Sequence, residues 1–242
     1  MDKYIRQKLV LGNLDEEIHK VSVAVVGLGG IGSWLSQMLV RIGVKKIIII
    51  DNSTVDLPDL HRQFYDEEDI GKYKVDVSFD KLKRANSEVE IIKYYEFNEK
   101  NALEILANVD ILFDATDNLK ARYVINEASI ITGKPWIFGS VARFMGYAAL
   151  IHPRLFCFYD VFGKKEEGII SEKHGVFSGS VLLVVSLQLR LFLNFLEGKI
   201  DPFLYYFNLE TFKLERIKIK RRENCPICMG KKFEYIKWRS RK

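Results

Sequence analysis

Val23-Ala-Val-Val-Gly27-Leu-Gly29-Gly30-Ile-Gly32 and, soon after it, Lys46-Ile-Ile-Ile-Ile-Asp51 are the stretches on which the fold turns. The first is a β-branched apolar run, a glycine-rich turn and then an amphipathic stretch, which read in order as strand, loop and helix. Glycines permit the tight turn and let the backbone approach a phosphate, and the helix that follows offers free N–H groups and a positive dipole end. Asp51 closes the next apolar run, about twenty residues beyond the loop, where a carboxylate can accept hydrogen bonds from ribose hydroxyls. The combination points to an adenosine nucleotide. NAD, FAD, S-adenosylmethionine and ATP all fit it.

Working outward, β-branched runs alternate with amphipathic stretches through the first 145 residues, as in a parallel sheet covered by helices. Strands are expected at Val21–Val26, Lys46–Asp51, Glu90–Phe97, Val109–Asp114 and Trp136–Ser140, with helices at about Ile31–Ile42, Lys72–Ala85, Lys100–Asn108 and Leu119–Thr132. After Gly146 the pieces shorten: strand-like Ala148–His152 and Phe156–Phe162, an apolar helix, then Tyr205–Asn208 and Phe212–Lys220. The expected class is α/β, a doubly wound Rossmann-like sheet with a parallel N-terminal half and an antiparallel C-terminal extension. No repeat or linker interrupts residues 1–242, so one domain is expected, with a helical segment over about 1–20 and strands plus a basic CxxC segment over about 205–242.

The 242 residues are 48% hydrophobic and 29% charged, which excludes a disordered tail protein, and three cysteines cannot form a disulfide framework. A reducing, cytoplasmic setting is expected, since the N-terminal MDKYIRQKLVLG has no signal-peptide core. Ser180–Leu196 is the longest apolar stretch, but it carries Gln188, Arg190 and Asn194 and falls short of the roughly 20 apolar residues a bilayer needs. It reads as a buried helix. The net charge of +5 is uneven: from Thr211 to Lys242, twelve Lys or Arg face three Glu. That basic end is either a solvated surface or a contact for something acidic.

The segment after Asp51 bears on the choice of nucleotide. It brings Asp59, Arg62, Gln63, Lys72 and Lys74 close behind the ribose acid. A dinucleotide's pyrophosphate is held largely by backbone amides, whereas a triphosphate under attack needs cationic side chains on its outer phosphates. Phe113-Asp-Ala-Thr-Asp117-Asn118 ends a strand at the carboxyl edge of the sheet, where a carboxylate can hold Mg²⁺ between phosphates. No Ser/His/Asp or Cys/His nucleophile constellation is evident, and none is needed if an ionised carboxylate attacks a phosphate.

GLGGIGSW, IIIIDNSTVDLPDLHRQF, DIGKYK and DATDN, in this order and spacing, resemble the MoeB/ThiF family of ubiquitin-activating-enzyme-like adenylyltransferases. The resemblance spans about Tyr4 to Gly230. It implies a homodimer that uses ATP and Mg²⁺ to adenylate the C-terminal Gly-Gly carboxylate of a ubiquitin-like or sulfur-carrier protein, releasing pyrophosphate, for molybdopterin, thiamine or tRNA thiolation. By resemblance, Asp51 binds the ribose, Arg62 and Lys74 the phosphates, and Asp117 the Mg²⁺ and reacting phosphates. Gly27, Gly29, Gly30, Gly32, Asp59, Gln63 and Asn118 complete the nucleotide set. Arg6, in YIRQ, reaches the nucleotide of the opposite protomer.

Cys225-Pro-Ile-Cys228 has the spacing of a zinc knuckle, with a redox pair as the rival reading. The family usually adds an earlier CxxC; here Cys157-Phe-Tyr-Asp160 stands in its place, so the expected Zn²⁺ site is Cys157, Asp160, Cys225 and Cys228. Two more departures concern mechanism. Ser171 stands where family members that carry their product covalently have a cysteine, so the protein is expected to stop at the adenylate. Asp59 replaces an Asn, and a carboxylate beside the phosphates either recruits Mg²⁺ or repels the nucleotide. The alternatives are a tRNA threonylcarbamoyladenosine dehydratase-like enzyme, for which the basic end speaks, and a non-catalytic nucleotide-binding scaffold; an NAD-dependent oxidoreductase is the weakest.

Overall fold

In the computed structural model, residues 2–164 and 175–237 are described. Eight strands form one sheet: β1 (Ser22–Val26), β2 (Lys46–Ile50), β3 (Glu90–Tyr94), β4 (Ile111–Asp114), β5 (Trp136–Ala142), β6 (Met145–Ile151), β7 (Phe203–Asn208) and β8 (Lys213–Lys218). Their order is β3-β2-β1-β4-β5-β6-β7-β8. The first five pair in parallel, and β6, β7 and β8 add antiparallel, as expected. The helices are α1 (Ile5–Leu11), α2 (Leu14–Ile18), α3 (Gly30–Arg41), α4 (Lys74–Ala85), α5 (Ala102–Ala107), α6 (Leu119–Thr132), α7 (Phe158–Phe162) and α8 (Ser178–Leu196).

The alternation of side chains along each strand divides the core in two. Val23, Val25, Ile47, Ile49, Ile111 and Phe113 point to the layer that holds Leu35, Leu39, Val184 and Phe192 of α3 and α8. Ala24, Val26, Ile48, Ile50, Leu112 and Trp136 point the other way, to Ile105, Leu106, Val124 and Ala128 of α5 and α6. Both faces of β2 are therefore covered, which is why Ile47–Ile50 is an unbroken apolar run.

Helix α8 is long and apolar enough to cross a membrane, yet it packs on α3, β5 and β6. Its polar Gln188 is completely buried and donates Nε2–H to the carbonyls of Asp114 (3.0 Å) and Ile137 (3.4 Å). Gly139 makes room for it, since a Cβ there would lie 2.5 Å from Nε2. The residue that interrupts the apolar run thus anchors the helix to the sheet.

One expected strand is corrected. Phe156–Phe162 is not extended: Phe158–Phe162 forms α7, which Gly163 ends at φ 68°. Asp160 accepts the Cys157 N–H at 2.8 Å, capping the turn, so a short polar contact overrides the apolar, β-like pattern. The expected start of α8 at Ser180 moves to Ser178, and Lys72–Ala85 shortens to begin at Lys74.

Candidate functional site

The chain runs from β1 outward to β2 and β3, then returns to place β4 and β5 on the other side of β1. The loops leaving β1 and β4 consequently diverge, which opens a crevice at the carboxyl edge of the parallel strands. A cavity of about 850 Å³ lies there, bordered by the glycine loop, Asp51, Arg62, Lys74, Asp117 and Ser140 among others. Every residue expected at the nucleotide borders it except Gly32 and Arg6.

Gly27 and Gly32 serve the loop itself. Gly27 has φ 88°, and a Cβ on it would sit 2.8 Å from the Ala115 carbonyl; a Cβ on Gly32 would strike the Gly27 carbonyl at 1.8 Å. Gly29 and Gly30 meet only more distant side chains, so the start of α3 stays open toward the cavity. Among the described residues no side chain caps that helix, whose first residues, Gly30 and Ile31, border the crevice.

Asp51 leaves β2 and accepts hydrogen bonds from Leu28 N at 2.6 Å and from Ser53 N at 2.8 Å. It ties the two strand ends together while bordering the cavity. The Arg62–Gln63 segment is fastened to α3: Trp34 Nε1–H donates to the Arg62 carbonyl, Phe64 N to Ser33 Oγ, and Tyr65 O–H to the Leu28 carbonyl. Asp59 is buried between Arg62 Nη2 (3.2 Å) and Lys74 Nζ (2.9 Å) and also accepts from Gln63 Nε2 at 2.6 Å. A carboxylate that the sequence left between two readings is therefore engaged by the two cations beside it.

Asp117 differs from Asp59. It is exposed and has no hydrogen-bond or ion-pair partner among the described residues. Asn118 caps α6 by accepting Ala121 N–H at 3.2 Å. The loop that carries them is held by residues the sequence did not single out. Asp114 is fully buried and accepts from Arg122 Nε at 3.0 Å and Thr116 Oγ at 2.6 Å, while Arg122 also donates to the Thr116 and Gly139 carbonyls. Burial pushes the Asp114 carboxyl up, and Arg122 opposes that shift. The one hint in the sequence was an acid ending an apolar strand.

Arg6 lies elsewhere. It is exposed on α1, which is tied by Gln7 to the Ile42 carbonyl at the end of α3 remote from the cavity. This chain does not bring Arg6 to its own cavity. Ser171 lies outside the described residues.

A second cluster sits behind α6. Sγ of Cys157, Cys225 and Cys228 and a carboxylate oxygen of Asp160 all lie within 4.8 Å of one another. Cys157 and Cys225 are 3.6 Å apart and Cys228 Sγ is 3.4 Å from Asp160 Oδ2. A tetrahedral ion with bonds of about 2.3 Å to sulfur and 2.0–2.2 Å to oxygen needs edges of roughly 3.5–3.8 Å, which these two separations approach, and the remaining donors lie within 4.8 Å. Backbone N–H groups of Cys157 and Arg222 orient the carboxylate. Burial pushes the Cys157 thiol far up and the Cys228 thiol to about 11, so binding an ion there releases protons. Nearby, the buried Glu127 of α6 accepts three backbone N–H groups, from Glu234, Tyr235 and Ile236, and pins the C-terminal segment.

Residues 4–227 match the ThiF family. The chain is 33% identical to the sulfur carrier protein adenylyltransferase of Thermus thermophilus, over 94% of this chain and 90% of that protein. It is 30% identical to the adenylyltransferase and sulfurtransferase UBA4 of Kluyveromyces lactis, over 93% of this chain but 55% of that protein, so it spans about half of that relative's length. Among solved structures, Escherichia coli MccB crystallised with ATP superposes with a TM-score of 0.81 at 20% identity, covering 94% of this chain and 75% of that one; this likeness speaks for the fold. With the match running almost end to end, the chain belongs to the ThiF family.

Proposed function

We propose that the protein is an ATP-dependent adenylyltransferase that activates the C-terminal Gly-Gly carboxylate of a small ubiquitin-like sulfur carrier. The observation that carries this reading is the convergence of an open helix N-terminus, Asp51, Arg62, Lys74 and Asp117 on one cavity. The full-length similarity to a sulfur carrier protein adenylyltransferase supports the same substrate class.

In this reading the α3 N-terminus receives a phosphate through backbone N–H groups. Asp51 accepts ribose hydroxyls, with its orientation already set by Leu28 and Ser53. Arg62 and Lys74 hold the outer phosphates. A carrier carboxylate oxygen attacks the α-phosphorus; the new O–P bond forms as the bond to the bridging oxygen breaks, and the electron pair leaves on pyrophosphate. The attacking group is ionised at neutral pH, so no general base is required. The difficulty is anion against anion, which positioning and cations overcome. Asp117, exposed at the cavity and without a partner among the described residues, fits as the protein ligand of Mg²⁺; one or two carboxylates plus phosphate oxygens is the usual set. When bound, Mg²⁺ neutralises phosphate charge.

The reading extends to a homodimer, in which Arg6 of one protomer serves the other's cavity. Helix α1 buries none of its residues and exposes Ile5, Leu9 and Val10, apolar area that a second copy would cover. Zinc is the ion proposed for the Cys157, Asp160, Cys225 and Cys228 cluster, in a closed structural site, and a cytoplasmic location suits three free thiols.

The test is ATP–pyrophosphate exchange in the presence of each small carrier ending in Gly-Gly, with a carrier lacking the last glycine as control. Exchange that needs the intact tail is expected. Absence of exchange with every carrier, despite nucleotide binding, would overturn the carrier reading and move the substrate toward tRNA, whose binding would fall steeply with salt.

A further inference from the structure

Asp59 is the buried, fully engaged acid of the cavity. Its Oδ1 accepts from Gln63 Nε2 at 2.6 Å and Arg62 Nη2 at 3.2 Å, and its Oδ2 accepts Asp56 N–H at 3.1 Å and meets Lys74 Nζ at 2.9 Å. That is the only ion pair of Lys74, and of Arg62, among the described residues. Two cations bordering the cavity thus share one counter-anion, and all three side chains are largely sequestered from solvent. Gln63 gives its amide N–H to Asp59, while its own Oε1 is buried and meets no hydrogen-bond donor among the described residues.

We infer that Asp59 is a built-in counter-anion that the outer phosphates of a nucleotide displace from Arg62 and Lys74, and that it sets how strongly the site prefers a cation-bound triphosphate. The inference rests on the reading of the cavity as an ATP site. A nucleoside monophosphate needs only Asp51 and the glycine loop, so Asp59 does not compete with it. A triphosphate must take both cations from a carboxylate already in place. It then faces that carboxylate across a partly buried space, where two anions repel more strongly than in water. A divalent cation between them removes the repulsion. Triphosphate binding is therefore weak without a divalent cation and rises steeply with one.

The test is calorimetric binding of α,β-methylene ATP and of AMP to the wild type and to Asp59→Asn, an isosteric and neutral replacement, in EDTA and in saturating Mg²⁺. In EDTA, Asp59→Asn should bind the triphosphate on the order of tenfold more tightly. AMP affinity should not change, and the gain should shrink when Mg²⁺ is present. Equal or weaker triphosphate binding by a folded variant, or the same gain for AMP, would overturn the inference. A wild type that binds neither nucleotide would overturn the ATP site itself, a failure separable from the first. Should Asp59→Asn not fold, Asp59→Ser carries the same comparison.

Discussion

The two clusters that flank α6 are built on opposite plans. At its N-terminus lies an open, polar cavity where one carboxylate, Asp117, has no partner among the described residues and another, Asp59, is shared by two cations. Further along α6, Ile130 packs on a closed cluster where three thiols and Asp160 face one another. A site that receives and releases a ligand keeps groups unpaired and reachable, whereas a site that holds an ion for stability converges every donor on one point. The difference teaches where each loss should register: in turnover for the first, in stability for the second.

The sharpest way to break this contrast is at Arg122, which borders the cavity and holds the loop that carries Asp117 and Asn118. Arg122→Ala leaves Asp114 buried and uncompensated, and should cost about 3–5 kcal/mol in denaturant unfolding. A loss below about 1 kcal/mol would show that this ion pair does not organise the loop. Next, Arg62→Ala and Asp117→Ala should each lower carrier-dependent exchange by about 10²–10³-fold. Asp117→Ala should leave the unfolding midpoint unmoved, since nothing in the described chain depends on that side chain; retained exchange in both variants would remove the assignment.

Chelation should do the reverse. Stripping the ion, or Cys225→Ser, should lower the melting temperature by roughly 5–10 °C, as expected when about 2.7 kcal/mol of linkage is lost from a chain of this size. Metal analysis of the purified protein gives the direct readout; an ion-free protein whose melting point ignores chelators would sink the closed site. The smallest effect is expected at Asn118, which caps α6 from within the cavity. Asn118→Ala should cost about 1 kcal/mol of stability, and Asn118→Asp should recover it. Were exchange to fall far more than stability in the alanine variant, Asn118 would be acting on the nucleotide as well as on the helix.

Much of the cavity was legible in the linear order. Gly27, Gly32 and Asp51 are dictated by local constraints, a turn with positive φ, a close backbone approach and a strand end, and local constraints leave marks at fixed spacing. The strand at Phe156–Phe162 misled because its apolar alternation carried no sign that Asp160 would cap Cys157. Arg122 and Glu127 were silent for a related reason, and Gln188, visible only as an interruption of an apolar run, gave no sign of its partners. Each is a polar residue in a helix whose partners lie up to 109 positions away, and no spacing rule spans such a distance.

The sequence by itself determined the doubly wound sheet, the glycine turn after β1, the acid at the end of β2 and the family, because periodicity and turn chemistry are written residue by residue. Only the tertiary structure decided what Asp59 touches. Whether a carboxylate among cations recruits, repels or neutralises depends on distances of about 3 Å; Arg62 is within local reach of Asp59, but Lys74, at the start of α4, meets it only once that helix has packed beside the segment.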